Sequence, residues 1–411
     1  MDFGPQPIPD KRSGRAAWIG GFFTGAAALL LTGCQSTSPY RDLPLTGDPI
    51  QDGLIYIEQG PPKDKVLWQY RTALRAMRKS DFELSERLFD DAILNLGGMM
   101  QPDRTARQSR SYFQEESRKT FYGEPYERVM AWYYRGILYW MDGEIDNARA
   151  CFRSAQFQDS DAENNEYRSD YVILDYMDGF ATTILGGDGS DHLERARELS
   201  ESVSLPAYNT EANVLFFIDF GAAPIKYGGG EYGEKLRFRQ GVSPVKAARL
   251  KWNDGELYIA PVDDLYYQAI TRGGRVMDHV LGNQAVFKKT TDTIGDAAMI
   301  SGAVLASQRD TQEAGLIVLG AGVLTKLFAS ATRPEADTRY WHNLPQYLSF
   351  AILKMPPGER DFTVEFLDGQ GRVLPEVTKQ VTVLVEEQRG PNVFYISDQS
   401  TQSQEPEQEA P

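Results

Sequence analysis

Aromatic and very small side chains alternate at helical spacing between positions 132 and 155, and this pattern constrains the fold more than any other feature of the chain. Small residues allow two helices to approach closely, and aromatic rings fill the space between helical layers. Gly143 falls between the two runs and provides a turn. The pattern predicts a pair of packed helices whose contacts are made by Trp132, Gly136, Tyr139, Ala148, Phe152 and Ala155.

The spacing of these residues resembles the tetratricopeptide pattern, whose repeats stack into a curved surface that binds peptides or proteins. We predict a tetratricopeptide-like helical repeat domain over residues 63–210, interrupted by an insertion at 95–127, with generic helical hairpins as the alternative. A weaker copy comprises Ala73, Ala76, Phe82, Phe89 and Ala92. A third, degenerate copy spans 167–201 around Gly179, Gly186 and Ala196.

The first helix of the clearest copy also suggests where a partner would bind. Aromatic and arginine side chains commonly dominate protein interfaces, so Tyr133 and Arg135 are predicted to be exposed partner-binding residues on this helix. On the second helix, Cys151 directly precedes a packing position. We therefore predict that Cys151 is a buried, reduced thiol of low reactivity.

From residue 211 the pattern changes to that of short strands. A β-prone run at 214–218 is closed by Gly221, a second lies at 257–259, and two more lie near 379–386 and 393–396. Residues 347–368 are predicted to form a hairpin turned by Pro356-Pro357-Gly358. The fold class is therefore α+β, with the helical repeats followed by a smaller β-rich domain over 211–397.

Two apolar stretches in this second half, 297–307 and 316–330, are rich in alanine and glycine. The second is short for a membrane span and carries Lys326, so both are predicted to form a helical pair buried against a sheet. Gly228-Gly229-Gly230 is predicted to be a flexible loop. The acidic, low-complexity segment 398–411 is predicted to be disordered.

The N-terminus has the layout of a secretory signal peptide over residues 1–33. Basic residues precede an apolar run at 16–31, which ends in Leu31-Thr32-Gly33-Cys34. This ending resembles the lipobox of bacterial lipoproteins, with an ordinary signal peptide or a chance cysteine after an apolar run as the alternative. The resemblance implies cleavage after Gly33 and acylation of Cys34 by chains such as palmitate. Gln35, where an aspartate signals retention in the inner membrane, implies an outer-membrane lipoprotein facing the periplasm, and residues 34–62 are predicted to be a flexible tether.

Charge and cysteine content exclude several functions. The formal net charge of -15 argues against binding to nucleic acid or to anionic lipid surfaces. The chain has two cysteines, and acylation consumes Cys34, so no disulfide can form within the mature chain. Packing must therefore supply the stability of the protein.

Sequence signals for catalysis are weak. The histidines His192, His279 and His342 lie far apart and outside any metal-binding spacing. Gly320-Ala321-Gly322 lacks the third glycine of a dinucleotide loop, so the sequence predicts no cofactor and no metal. One polar and aromatic cluster, Asp337, Arg339, Trp341 and His342, precedes a strand. A bidentate Asp337–Arg339 pair under Trp341 is the structural interpretation, and a binding or catalytic cluster is the alternative.

Three segments carry a resemblance to a family of uncharacterised bacterial tetratricopeptide-type lipoproteins. They are FYGEPYERVMAWYYRG at 121–136, ADTRYWHNLP at 336–345 and the turn at 356–358. The resemblance implies a fold and a location but no activity. Two hypotheses follow: a non-enzymatic scaffold that binds a protein of the cell envelope through its repeats, and an enzyme that acts on an envelope polymer through Asp337, Arg339 and His342.

Overall fold

Helices form the first half of the part of the chain that the computed structural model describes, which comprises residues 43–99, 120–159, 169–200, 203–271, 336–386 and 390–401. Each helix packs against the next one in sequence. The helices are α1 (Pro49–Gln59), α2 (Lys65–Arg78), α3 (Phe82–Met99), α4 (Pro125–Met141), α5 (Ile145–Asp159), α6 (Val172–Ile184) and α7 (Ser190–Leu199). None of the helices in these residues is long and apolar enough to cross a membrane.

Helix α1 lies within the predicted tether, so the prediction of a flexible segment over 34–62 is wrong for residues 49–59. The Asp48 side chain caps this helix, because its Oδ1 accepts hydrogen bonds from the backbone N–H groups of Ile50 and Gln51 at 2.8 and 3.0 Å. Gly53 packs so tightly on Thr72 of α2 that an added Cβ would lie 2.1 Å from the hydroxyl oxygen. Packing against α2 thus stabilises a helix that is too short to show a clear period in the sequence.

The predicted helix pair at 132–155 is confirmed as α4 and α5. Gly136 permits their close approach, since an added Cβ would lie 2.8 Å from the ring of Phe152. Gly143 forms the turn with a φ of 77°. The burial of two predicted packing residues differs from the prediction. Trp132 and Tyr139 are only partly buried, whereas Trp140 is 2% exposed.

The strands form two four-stranded sheets and a separate two-stranded sheet within the described residues. Sheet A has the order β10-β1-β7-β6, sheet B has β2-β3, and sheet C has β5-β4-β8-β9. Strand β1 pairs in parallel with β10 and antiparallel with β7. The strands are β1 (Val214–Phe220), β2 (Ile225–Gly229), β3 (Lys235–Arg239), β4 (Val245–Trp252), β5 (Gly255–Ile259), β6 (Asp263–Asp264), β7 (Tyr347–Leu353), β8 (Gly358–Asp368), β9 (Lys379–Val385) and β10 (Asn392–Ser397), and helix α8 (Leu265–Ile270) follows β6.

The four predicted strand runs are confirmed as β1, β5, β9 and β10, but the predicted hairpin is wrong. Strands β7 and β8 belong to different sheets, because β1 and β6 already occupy both edges of β7. The Asn213 side chain holds the crossing between the sheets: its Nδ2 donates to the Met355 carbonyl and its Oδ1 accepts from the Met355 N–H, both at 2.8 Å. Pro356-Pro357 therefore lies in the connection that crosses from sheet A to sheet C and does not turn a hairpin. Neither proline has a backbone N–H to donate to a neighbouring strand.

The helices and strands share one hydrophobic core through sheet A. Leu215 and Phe217 on one face of β1 pack in the same cluster as the helices, whereas Phe216 and Phe220 on the other face pack against sheet C. All seven residues of β1 are buried, as expected for a strand covered on both faces. The predicted boundary between 210 and 211 therefore marks a change of secondary structure between elements that pack together.

Two further predictions are corrected at the ends of the strands. Gly228 and Gly229, predicted as a loop, belong to β2 and pair with β3. Residues 398–401 of the predicted disordered tail are ordered against β1, where the Asp398 carboxylate accepts a hydrogen bond from the Gly221 N–H at 3.0 Å. The apolar stretches 297–307 and 316–330, Gly320–Gly322, Cys34 and His279 lie outside the described residues.

Candidate functional site

The cluster predicted from sequence lies on an irregular segment, residues 336–346, which we call the strap and which leads into β7. Trp341 is fully buried and anchors the strap to the helices. Its ring stacks on Tyr70 of α2 with centroids 4.6 Å apart, and it also contacts Phe89 of α3 and Tyr134 of α4. Trp341 therefore connects the strap to three helices.

The predicted bidentate pair between Asp337 and Arg339 is present. Arg339 donates from Nε to Asp337 Oδ1 at 2.9 Å and from NH2 to Asp337 Oδ2 at 2.6 Å. The guanidinium also binds Asp64, at the start of α2, through NH1. It lies over the ring of Phe121, 5.6 Å from the centroid, rather than under Trp341 as predicted. The pair thus ties the strap to the helical layer.

A second ionic contact, missed in the sequence, lies beneath the strap. Glu127 of α4 is fully buried, and its carboxylate accepts from the Trp341 N–H at 2.6 Å and from Lys226 Nζ at 2.7 Å. It also accepts from the Glu124 N–H as part of a capping box at the start of α4. Lys226, on β2, donates a further bond to the Arg339 carbonyl at 3.1 Å. Glu127 therefore connects a helix, a strand and the strap.

Three arginines of α2, which we call the arginine row, hold the strap from another side. Arg71 donates to the Tyr340 carbonyl at 2.6 Å, and Arg78 donates to the Asn343 carbonyl at 2.7 Å. Arg75 lies 3.2 Å from Nε2 of His342. Desolvation and the charges of the three arginines lower the pKa of His342 to about 4, so the ring is neutral at pH 7 and accepts a hydrogen bond from Arg75.

A stack of aromatic rings adjoins the arginine row. Tyr56 of α1 lies parallel to Trp68 of α2 with ring centroids 4.0 Å apart. The guanidinium carbon of Arg71 lies 5.0 Å from the centroid of Trp68, in cation–π contact. Both rings are partly exposed, and His342 is exposed. The site therefore combines cations and aromatic rings at a surface that solvent reaches.

Residues Tyr133 and Arg135, predicted to be exposed, are buried, and that prediction is wrong. Tyr133 is fully buried and contacts the ring of Phe217 on β1. Arg135 is 6% exposed and binds Asp90 of α3 through Nε at 2.8 Å. The reason is that α4 packs against α3, α5 and sheet A together, which leaves little of its surface to solvent.

The predicted burial of Cys151 is confirmed, and burial raises the pKa of its thiol to about 12.

Two buried aspartates also lack a signal in the sequence. Asp263 caps α6 from a distance, because its carboxylate accepts from the N–H groups of Val172 and Ile173 at 3.0 and 2.8 Å. Asp219 on β1 accepts a hydrogen bond from the Tyr134 hydroxyl at 2.6 Å. Burial raises the pKa of each carboxyl to about 7.

The raised pKa of Asp219 leads to a stability prediction. The carboxyl binds its proton more tightly in the folded chain than in the unfolded chain, where the pKa is about 3.8, so ionisation opposes folding. We expect the free energy of unfolding to fall as pH rises from about 4 to 7, by up to about 4 kcal/mol from this group. Urea unfolding of Asp219→Asn should show a smaller decline over this range, with Asp263 still contributing its own. Identical pH profiles of the variant and the wild type would contradict the assignment.

The described residues contain no group of three or more histidine, cysteine, aspartate or glutamate side chains that could hold a metal ion. A groove of about 830 Å³ lies beside Asn213, Lys354 and Met355, and neither Asp337 nor His342 lines it.

No family model, curated protein or solved structure matches this chain. Fold and site together define a mixed α+β protein, with helices in its N-terminal half and strands in its C-terminal half.

Proposed function

We propose that this protein is a lipid-anchored scaffold of the bacterial cell envelope that binds another protein and performs no catalysis. The observation that carries the proposal is the use of the charged groups at the strap. Asp337 is occupied by Arg339, and Glu127 is occupied by Lys226 and the Trp341 N–H. Groups that are committed to such bonds stabilise a junction between elements and are poorly placed to exchange protons with a substrate.

The alternative, an enzyme that acts on an envelope polymer, would need Asp337 and His342 to act together. Asp337 binds Arg339, whereas His342 binds Arg75 of α2. A histidine whose pKa is about 4 is a weak base at neutral pH. The contacts of both residues therefore favour the scaffold over the enzyme.

The proposed anchor is acylated Cys34 in the outer membrane, with the folded chain facing the periplasm. We expect Cys34→Ala, exported with a cleavable signal peptide that is not lipidated, to be found in the soluble periplasmic fraction. The physical reason is that several acyl chains give stable anchoring, at about 0.8 kcal/mol for each buried methylene, and the variant has none. Fractionation followed by immunoblotting measures this. Recovery of the variant with the membranes would show a second means of attachment.

The proposed partner surface is the face formed by Arg71, Arg75 and the Tyr56–Trp68 stack, since Tyr133 and Arg135 are buried. Aromatic and arginine side chains of this kind are typical of protein interfaces. Crosslinking in intact cells, followed by purification of the protein, tests the proposal. A discrete partner should be captured by the wild type and lost from an Arg71→Gln, Arg75→Gln double variant that remains folded. Capture of the same partners at the same yield would rule out this face.

A further inference from the structure

We propose that Arg71, Arg75 and His342 bind carboxylate groups of an acidic protein segment. The inference rests on the proposed scaffold function and names the chemistry of the partner. The three side chains come from two separate parts of the chain, α2 and the strap, which meet at the surface. Guanidinium groups form bidentate, charge-assisted hydrogen bonds with carboxylates, so two of them beside an imidazole suit such a ligand.

The charge around the site is unusual for this chain. Acidic residues outnumber basic ones by 58 to 43, yet in the described part of the chain no carboxylate lies within 4 Å of a charged nitrogen of Arg71, Arg75 or Arg78. Burial and, to a smaller extent, the charge of Arg75 lower the pKa of Arg71 to about 10. Arg71 and Arg75 thus lie side by side with no carboxylate in direct contact, and an anion would relieve their repulsion.

The carboxylates that act on Arg71 and Arg75 from a distance are engaged elsewhere. Asp64 and Glu127 influence Arg71, and Asp52 of α1 influences Arg75. Asp64 binds Arg339, and Glu127 binds Lys226 and the Trp341 N–H. Asp52 accepts from the backbone N–H groups of Thr46 and Gly47. Neutralisation of the site would therefore require a group from outside these contacts.

The donors are also held in place. Arg71 is fixed between the Tyr340 carbonyl and the ring of Trp68, and its Nε is buried without a hydrogen-bond acceptor. Arg75 is fixed by the Pro49 carbonyl, 3.2 Å from NH1, and by His342. Each guanidinium has five N–H donors, more than these contacts use. Side chains fixed in this way lose less conformational entropy when a ligand binds.

The experiment follows the three histidine resonances of the full-length protein, labelled with ¹³C-histidine and purified in detergent. A hexaglutamate peptide is titrated at pH 7, with hexaglutamine and sodium chloride of matched ionic strength as controls. We expect hexaglutamate to shift the His342 resonance saturably and to raise its pKa, since a bound carboxylate favours the protonated ring. The net charge of -15 opposes non-specific binding of this peptide, so a response reports local attraction.

Variants assign the response to the arginine row. Arg75→Gln should weaken hexaglutamate binding about tenfold, because one charge-assisted hydrogen-bonding group is lost. Arg372→Gln is the matched control: this arginine is 72% exposed in the turn after β8, is paired with Asp368, and its replacement should leave the affinity unchanged. Circular dichroism confirms that both variants are folded, and the wild-type titration tests the proposal even if Arg75→Gln does not fold.

Inorganic phosphate provides the second arm of the test. A saturable shift with hexaglutamate that Arg75→Gln weakens supports the proposal. A shift with phosphate but not with hexaglutamate would overturn it in favour of a phosphate-bearing ligand. No shift of His342, or one that sodium chloride reproduces, would also overturn it. Crosslinked partners in cells together with a silent His342 would leave the scaffold function standing and refute only this inference, so the two failures are distinguishable.

Discussion

Replacing Glu127 with alanine is expected to lower the free energy of unfolding by about 3–5 kcal/mol. The substitution leaves Lys226, whose side chain is 2% exposed, as a buried charge whose remaining carboxylate, that of Glu124, lies 3.7 Å away. It also removes the acceptor of the Trp341 N–H. Urea unfolding followed by circular dichroism measures the change.

A double variant separates the loss of the Glu127–Lys226 ion pair from the cost of leaving one buried charge unpaired. Glu127→Met combined with Lys226→Met removes both charges and should be more stable than Glu127→Ala, because a buried ion pair can often be exchanged for apolar side chains without loss. If the free energy of unfolding of Glu127→Ala were within about 1 kcal/mol of the wild-type value, the buried ion pair would not hold the strap. If the double variant had the same free energy of unfolding as Glu127→Ala, the loss of stability would come from packing and not from the unpaired charge.

Trp341→Ala is expected to cost about 3–5 kcal/mol of stability, since it removes a fully buried ring that contacts Tyr70, Phe89 and Tyr134. The same urea experiment measures it. Tyr258→Ala is the control: this ring on β5 is 62% exposed, and its loss should change stability by about 0.5 kcal/mol or less. Equal effects of the two substitutions would mean that the strap is not anchored by Trp341.

The sequence predicted contacts that are local and missed those that join distant segments. Asp337 and Arg339 are two positions apart, so their pairing follows from proximity in the chain. Glu127 and Lys226 are 99 positions apart, and Asp64 and Arg339 are 275 apart. Nothing in a local pattern connects residues at such separations. Glu124 and Glu127 form a capping box three positions apart, whereas the second role of Glu127 depends on residues far away in the chain.

Two wrong predictions have a common physical cause. Helical periodicity indicates one apolar face when the opposite face meets solvent, and α4 is covered on several sides. Tyr133 and Arg135 fall outside the packing positions of the repeat, which indicates exposure, yet the further elements packed on α4 bury both. The hairpin at 347–368 failed for a related reason, since two adjacent strands can enter separate sheets when other strands occupy their edges.

The pairing of β1 with β10 determines when the chain can complete its fold. Asn213, at the start of β1, and Asn392, at the start of β10, are hydrogen-bonded although they lie 179 positions apart. During synthesis the helices and β1 emerge long before either neighbouring strand, so both hydrogen-bonding edges of β1 are still unpaired. Contacts between residues so far apart in the sequence slow folding and prolong the lifetime of aggregation-prone intermediates. The helical half of this protein therefore depends on its last strands, and a chaperone would have most to protect in the interval before they are synthesised.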